Sequence, residues 1–243
     1  MANHILILAA GQGSRLSSNI PKQFLEINGM PILFHSLKIF SRSVPNVRIH
    51  VALPQNYIKT WRTFCIKYNF NTPHDSYVGG DSRIHTVFKG LNKIATEDRI
   101  NNKTIVGIHD AARPFLNSEL ITKLINTAIS YGSAIPFIHL KSALSKRNTK
   151  KNNSYSLNRN DYVLTQTPQF FHFDQIFESY CKVFSKFKIK DLSNLFFDDA
   201  SVYEYFKIHE DLQMLEGDES NLKITTDLDY FIAEKLYEFS VKK

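Results

Sequence analysis

Hydrophobic residues are spaced along this chain in two alternating rhythms. Residues 4–9 form a β-favouring apolar run, and Gly11 and Gly13 follow at once. That pattern predicts a buried strand that ends in a loop. After Pro31, the residues Ile32, Leu33, Leu37, Ile39 and Phe40 recur at helical spacing. Residues 47–53 predict a second strand, and residues 57–68 an amphipathic helix. Ser82 is placed to cap a helix over residues 83–95, because its hydroxyl can accept an orphan N–H of the first turn. A third strand is expected at 104–109, a helix opened by Ser118 and Glu119 running to 129, and a fourth strand at 133–138. Strands that alternate with helices of this length predict βαβ units. The fold class is therefore α/β, with a mostly parallel sheet flanked by helices and right-handed crossovers.

The rhythm stops at residues 140–160. That stretch is polar, carries Lys141, Lys146, Arg147, Lys150, Lys151 and Arg159, and shows no helical face. A segment this long inside a compact domain reads as a flexible loop or as an arm that leaves the body. Helical spacing resumes at 173–187. A short helix at 199–206, a strand at 212–216 and a last helix to about residue 239, capped by Thr225 or Thr226, complete the chain. There is no internal repeat and no linker, so residues 1–243 are expected to form a single domain.

Composition narrows the classes. An apolar fraction of 43% with 19 Phe and 11 Tyr is enough for a large core, which excludes wholesale disorder. No apolar run approaches the roughly 20 residues of a spanning helix, so no membrane association is expected. The first apolar run has no cationic segment ahead of it and does not read as a signal peptide. Two cysteines, Cys65 and Cys181, can build neither a disulfide framework nor a four-cysteine zinc site. A reduced, cytoplasmic setting is expected. The net charge of +7 suits an anionic partner such as a nucleotide, although lysine is common throughout the chain.

Six segments carry candidate chemistry. Ala9-Ala10-Gly11-Gln12-Gly13-Ser14-Arg15 follows the first strand. Small residues let backbone N–H groups close on phosphate oxygens, and Arg15 adds a bidentate donor. Leu16 stands where a dinucleotide fingerprint needs a third small residue, which disfavours that cofactor. Pro21-Lys22-Gln23 places a lysine on a fixed backbone near this loop, suited to a triphosphate as a compact point charge. Gly79-Gly80-Asp81-Ser82-Arg83 leads into a helix bearing Thr86. His109-Asp110-Ala111-Ala112-Arg113 ends a strand, where ligands bind in open α/β sheets. Thr165-Gln166-Thr167-Pro168 and Asn221-Leu222-Lys223 come later. The basic arm lacks the interleaved aromatics of a nucleic-acid binder, apart from Tyr155, so nucleic acid is not an expected partner.

In this order, these segments resemble the 2-C-methyl-D-erythritol 4-phosphate cytidylyltransferase family, over nearly the whole chain. The resemblance implies a Rossmann-like α/β fold, with a protruding β-arm at about residues 139–163 that builds a homodimer. It implies that Ala9, Ala10, Gly11, Gly13, Arg15 and Lys22 cradle the CTP phosphates and that Gly80 and Thr86 recognise cytosine. Asp110 and Lys223 would lie where nucleotide meets substrate. Arg113, Ser142 and Thr167 would face the polyol phosphate, and Arg159 would reach the partner subunit's substrate phosphate. The implied cofactor is Mg²⁺, held mainly by the CTP phosphates, with Asp110 as the candidate protein group. Lys141-Ser142 and Asn158-Arg159 stand where the family usually has an acid before the hydroxyl and before the arginine. Two acids are thus lost from the acceptor side. The alternative function is that of the cousin family, which transfers cytidylyl groups to ribitol 5-phosphate. The cousin's first loop more often reads Ala-Gly-Gly, and Ala9-Ala10-Gly11 here favours the isoprenoid family.

Overall fold

The structure, a computed structural model, describes residues 3–11, 20–96, 100–101, 103–148, 150–206 and 211–241. In chain order its strands and helices are β1 (Asn3–Leu8), β2 (Glu26–Ile27), β3 (Met30–Pro31), α1 (Ile32–Ser43), β4 (Val47–Leu53), α2 (Ile58–Lys67), β5 (Asp75–Val78), α3 (Arg83–Ala95), β6 (Ile105–Asp110) and α4 (Ser118–Tyr131). They continue with β7 (Ser133–His139), β8 (Leu144–Asn148), β9 (Asn153–Leu157), β10 (Val163–Thr165), β11 (Gln169–His172), α5 (Phe173–Lys186), α6 (Ile189–Leu195), α7 (Asp199–Tyr205), β12 (Met214–Glu216) and α8 (Asp227–Val241).

The main sheet runs in the order β10-β7-β11-β6-β1-β4-β5, with β12 beside β7. Strand β1 lies between β4 and β6, parallel to both, with Leu8 opposite Ala52 and Asp110. In this sheet β11, against β6 and β7, and β10, against β7, run antiparallel. Both faces of the sheet are covered, so β1 reads as a continuous apolar run rather than an alternating one. Its side chains still alternate. Ile5 and Ile7 pack with Leu33, Phe34 and Phe40 of α1, and Trp61 of α2. Leu6 packs on the other face with Val87 and Leu91 of α3 and Tyr180 of α5.

Local signals act as expected where they are strong. The Ser82 hydroxyl accepts the His85 N–H at 3.2 Å and opens α3. Asn117, not Ser118, caps α4; its Oδ1 accepts the Glu119 N–H at 2.7 Å. That helix runs on to Gly132, whose φ of +89° only glycine adopts readily. Thr226 caps α8 by accepting the Asp229 N–H at 3.2 Å.

Residues 140–160 are an arm rather than a coil. Strands β8 and β9 pair antiparallel from Leu144 opposite Leu157 to Asn148 opposite Asn153, as a two-stranded sheet of their own. Most of its side chains are exposed. The segment after α5 also folds back. Leu192 of α6 is fully buried against the α3 face, and Phe196 meets Phe187 and Tyr205 edge-on at 5.9 and 5.1 Å.

Candidate functional site

Strands β1, β4, β5 and β6 end at one edge of the sheet, and the glycine-rich and charged loops gather there. Two cavities open among them. The larger, of about 640 Å³, is lined by Ala9, Ala10, Gly11, Lys22, the Gly79–Ser82 turn and Thr86. The smaller, of about 400 Å³, is lined by Arg113, Thr165, Gln166, Thr167, Phe197 and Met214, among others. Arg83, Asp110 and Lys223 line both and form their common wall.

The larger cavity is built by backbone proximity. Gln23 is buried and donates from Nε2 to the Ala9 carbonyl at 2.7 Å, which ties the Pro21-Lys22-Gln23 segment to the end of β1. Lys22 Nζ donates to the Ile224 carbonyl at 3.4 Å. Any Cβ on Gly79 would stand 2.3 Å from Ala10 Cβ, so only glycine lets these two loops touch. The Thr86 hydroxyl donates to the Ser82 carbonyl at 2.8 Å and accepts the Gly80 N–H at 3.0 Å. These two bonds shape the Gly79–Gly80 turn.

The common wall is a chain of opposite charges. Asp110 Oδ2 accepts from Lys223 Nζ at 2.7 Å, and Oδ1 accepts from Arg83 Nε at 3.2 Å. Burial by itself would raise the pKa of Asp110. Arg83, Lys223 and Arg113 override it and hold the carboxyl well below the usual carboxylate range. Arg83 Nη2 also donates to Asp199 Oδ2 at 2.6 Å. Burial opposes the charged form of Arg83 too, but Asp199 and then Asp110 hold the guanidinium well above its ordinary pKa.

Behind the wall, His109 is fully buried, with Nε2 3.1 Å from the Arg113 carbonyl and Nδ1 3.2 Å from the Thr167 hydroxyl. Burial pushes its pKa down to about 3. The neutral ring then donates through Nε2 and accepts through Nδ1. The Thr167 hydroxyl also accepts the Asp110 N–H at 3.1 Å, so it fixes the Asp110 backbone. Asn221 Nδ2 donates to the Thr167 carbonyl at 2.9 Å, and the Ile224 N–H donates to Ala112 at 2.9 Å. These bonds hold the Lys223 segment against both the β6 loop and the segment between β10 and β11. Arg113 Nη1 donates to the Asn221 carbonyl at 2.7 Å, and burial pulls its pKa below the ordinary value.

The fold therefore gathers Ala9, Ala10, Gly11, Lys22, Gly80, Thr86, Asp110, Arg113, Thr167 and Lys223 around the two cavities. Gly13 and Arg15 lie outside the described residues. Ser142 and Arg159 are elsewhere. Ser142 lines a separate hollow of about 430 Å³ at the base of the arm, with Leu140, Leu164 and Glu219. Arg159 donates to the Lys141 carbonyl and lines neither central cavity. The sequence reading gave no role to Gln166, which lines the smaller cavity, to Asn221, which braces the Thr167 carbonyl, or to the wall residue Arg83. The position of Arg83 at the start of α3 was visible, but nothing in the spacing links it to Asp199, 116 residues away. No cluster of three or more His, Cys, Asp or Glu able to hold a metal ion is present among the described residues. No helix among them is long and apolar enough to cross a membrane.

The sequence pattern of the family described as IspD, 2-C-methyl-D-erythritol 4-phosphate cytidylyltransferase, matches residues 3–238. A relative of that name from Bacteroides fragilis is 35% identical over 97% of this chain and 100% of its own length. The crystal structure of 4-diphosphocytidyl-2C-methyl-D-erythritol synthase from Anaerococcus prevotii is similar with a TM-score of 0.78 at 25% identity, over 97% of this chain and 96% of that one. The Francisella tularensis 2-C-methyl-D-erythritol 4-phosphate cytidylyltransferase is similar with a TM-score of 0.77 at 27% identity, over 97% of this chain and 100% of that one.

Proposed function

This chain belongs to the 2-C-methyl-D-erythritol 4-phosphate cytidylyltransferase family, and on that footing we propose how its two cavities divide the work. The protein is a CTP-dependent nucleotidyltransferase that joins CTP to 2-C-methyl-D-erythritol 4-phosphate; the family assignment favours this over the ribitol 5-phosphate alternative. The larger cavity takes CTP and the smaller one the polyol phosphate. One observation carries this division: both cavities share the Arg83–Asp110–Lys223 wall, so groups bound in each meet at one charged seam.

A phosphate oxygen of the acceptor attacks the α-phosphorus of CTP in line. The new P–O bond forms as the bond to the β-phosphate oxygen breaks, and pyrophosphate leaves. A phosphate monoester is already nucleophilic near neutral pH, so catalysis rests on positioning and charge neutralisation rather than on a strong base. Lys22 faces the triphosphate, with Arg15 as its partner from the first loop. Lys223 faces the attacking phosphate, and Asp110 holds it there. Arg113 and Thr167 line the acceptor side. Thr86 shapes the Gly79–Gly80 turn, and the backbone groups of that turn together with Thr86 recognise the base.

The donor set fits Mg²⁺ held mainly by the nucleotide. Asp110 is the carboxylate of the common wall, already engaged by two cations, and a small ion that keeps several waters needs little more from the protein. Bound there, Mg²⁺ would neutralise triphosphate charge. The homodimer is also part of the proposal. The two-stranded β8–β9 ribbon leaves its side chains exposed, and such a ribbon is marginal without a partner surface. We place the enzyme in the cytoplasm, where Cys65 and Cys181 stay reduced.

Pyrophosphate release with CTP plus each acceptor tests this function. Turnover with methylerythritol phosphate well above that with ribitol 5-phosphate is expected, and the reverse order contradicts it. CTP is also expected to be the preferred nucleotide. At about 100 times its Kd, a ligand adds about 2.7 kcal/mol, which for a domain of this size raises Tm by about 5–10 °C. A thermal melt with Mg²⁺ should show this rise with CTP and a clearly smaller one with ATP at equal concentration. Equal shifts would remove the basis for pyrimidine selection.

A further inference from the structure

Arg83 stands in the wall between the cavities, and its planar guanidinium is engaged along two edges. Nε faces Asp110 at 3.2 Å and Nη2 faces Asp199 at 2.6 Å. Asp199 is fully buried and lines neither cavity. It can therefore influence the reacting centre only through its neighbours.

Asp199 is itself held from behind. Tyr180 donates its hydroxyl to Asp199 Oδ1 at 2.6 Å. The N–H groups of Asp199 and Ala200 donate to Gln169 Oε1 at 3.1 and 2.9 Å. Gln169 Nε2 donates to Asp198 Oδ2 at 2.9 Å, and Asp198 caps α7 through the Ser201 N–H at 2.9 Å. A continuous run of hydrogen bonds thus leads from β11, α5 and α7 to the Asp110 carboxylate. A buried carboxylate that accepts from a buried tyrosine and an arginine has few ways to move.

We propose that Arg83 and Asp199 are positioning residues for the transfer step: Asp199 anchors the guanidinium, and the guanidinium sets the direction of the Asp110 carboxylate, which in turn holds Lys223 at the seam. Arginine suits this task because its donors form a rigid fork that spans two carboxylates, which the single ammonium of lysine does not. The proposal rests on the reading of this site as the transferase centre.

Asp199→Asn keeps the shape and removes the charge. Its kcat is expected to fall about 10–100-fold, the usual cost of losing an outer partner of a site residue, while KM for CTP stays within about threefold. A folded Asp199→Asn protein with wild-type kcat would overturn the proposal. A double-mutant cycle then separates positioning from direct contact. Arg83→Gln alone is expected to cost more than about tenfold, but almost nothing further when added to Asp110→Asn. Fully additive losses would mean that Arg83 acts on the substrate itself.

Removing one member of a buried ion pair can unfold a protein. If Asp199→Asn does not fold, the paired apolar replacement Arg83→Met with Asp199→Leu takes its place, since such swaps usually keep stability. It is expected to fold and to show the same loss of kcat; wild-type kcat in it would overturn the proposal. Should the wild-type protein release no pyrophosphate from CTP and the acceptor, the functional reading fails on its own. Crystal structures of the wild-type and variant proteins then decide the clamp without turnover: Arg83 Nε leaves Asp110 once Asp199 is neutral, and its staying within hydrogen-bond distance overturns the proposal.

Discussion

Replacing Lys22 with alanine is expected to lower kcat by about 10²–10³-fold, the usual cost of removing one preorganised charge from a transition state. Lys22 follows Pro21, whose φ of −55° fixes the entry to a single 3-10 turn, and the buried Gln23 pins that turn to the Ala9 carbonyl. The ammonium is therefore delivered to the larger cavity by a backbone held on both sides. The Lys22 ammonium donates to the Ile224 carbonyl at 3.4 Å, while the bond that pins the turn comes from Gln23, so truncation of Lys22 is expected to leave the turn in place. A far-UV spectrum and Tm close to wild type, with collapsed steady-state turnover, is the expected pair of results. A folded Lys22→Ala enzyme that retains full kcat would show that the triphosphate lies elsewhere.

Mixing two nearly inactive variants is expected to restore activity. Within one chain, Arg159 sits beside Lys141 at the base of the arm and lines neither central cavity. If the arm crosses a two-fold axis, Arg159 serves the neighbour's acceptor site. An Arg159→Ala subunit with intact Lys22 then receives a good arginine from a Lys22→Ala partner, and one site of that pair works. Random assortment into C₂ pairs makes half the dimers mixed, each with one working site, so about a quarter of wild-type activity is expected. Mixed dimers counted by native mass spectrometry, together with a pyrophosphate assay, check this. No recovery in the presence of proven mixed dimers would mean that Arg159 acts in its own chain or not at all.

Much of the frame was legible from local pattern alone. Strands β1, β4, β6 and β7 are apolar runs bounded by turn residues, and α1 to α5 carry periodic faces, with side-chain caps at α3 and α4, so a window of about ten residues contains the information. The charged loops were legible for the same reason, since glycines and Pro21 mark where backbone must turn tightly against a ligand.

Other features depended on the path of the chain. Strand β5 begins with Asp75 and Ser76 and is half-exposed, so it has no apolar signature; it is a strand because the main chain of β4 is there to pair with it. Strand β11 is four residues long and antiparallel, and it exists because β6 and β7 leave a slot between them. The arm's polar residues reveal nothing of their register until β8 and β9 face each other. The resemblance implies that Thr86 recognises the base, and only the fold shows its hydroxyl bonded to the Gly80 N–H and the Ser82 carbonyl. The pairing of Arg83 with Asp199, across 116 residues, follows no spacing rule at all. Residue types and local periods are set by neighbours in the chain. Which buried charge meets which partner is set by the high cost of leaving either one unpaired once the two faces of the sheet have closed.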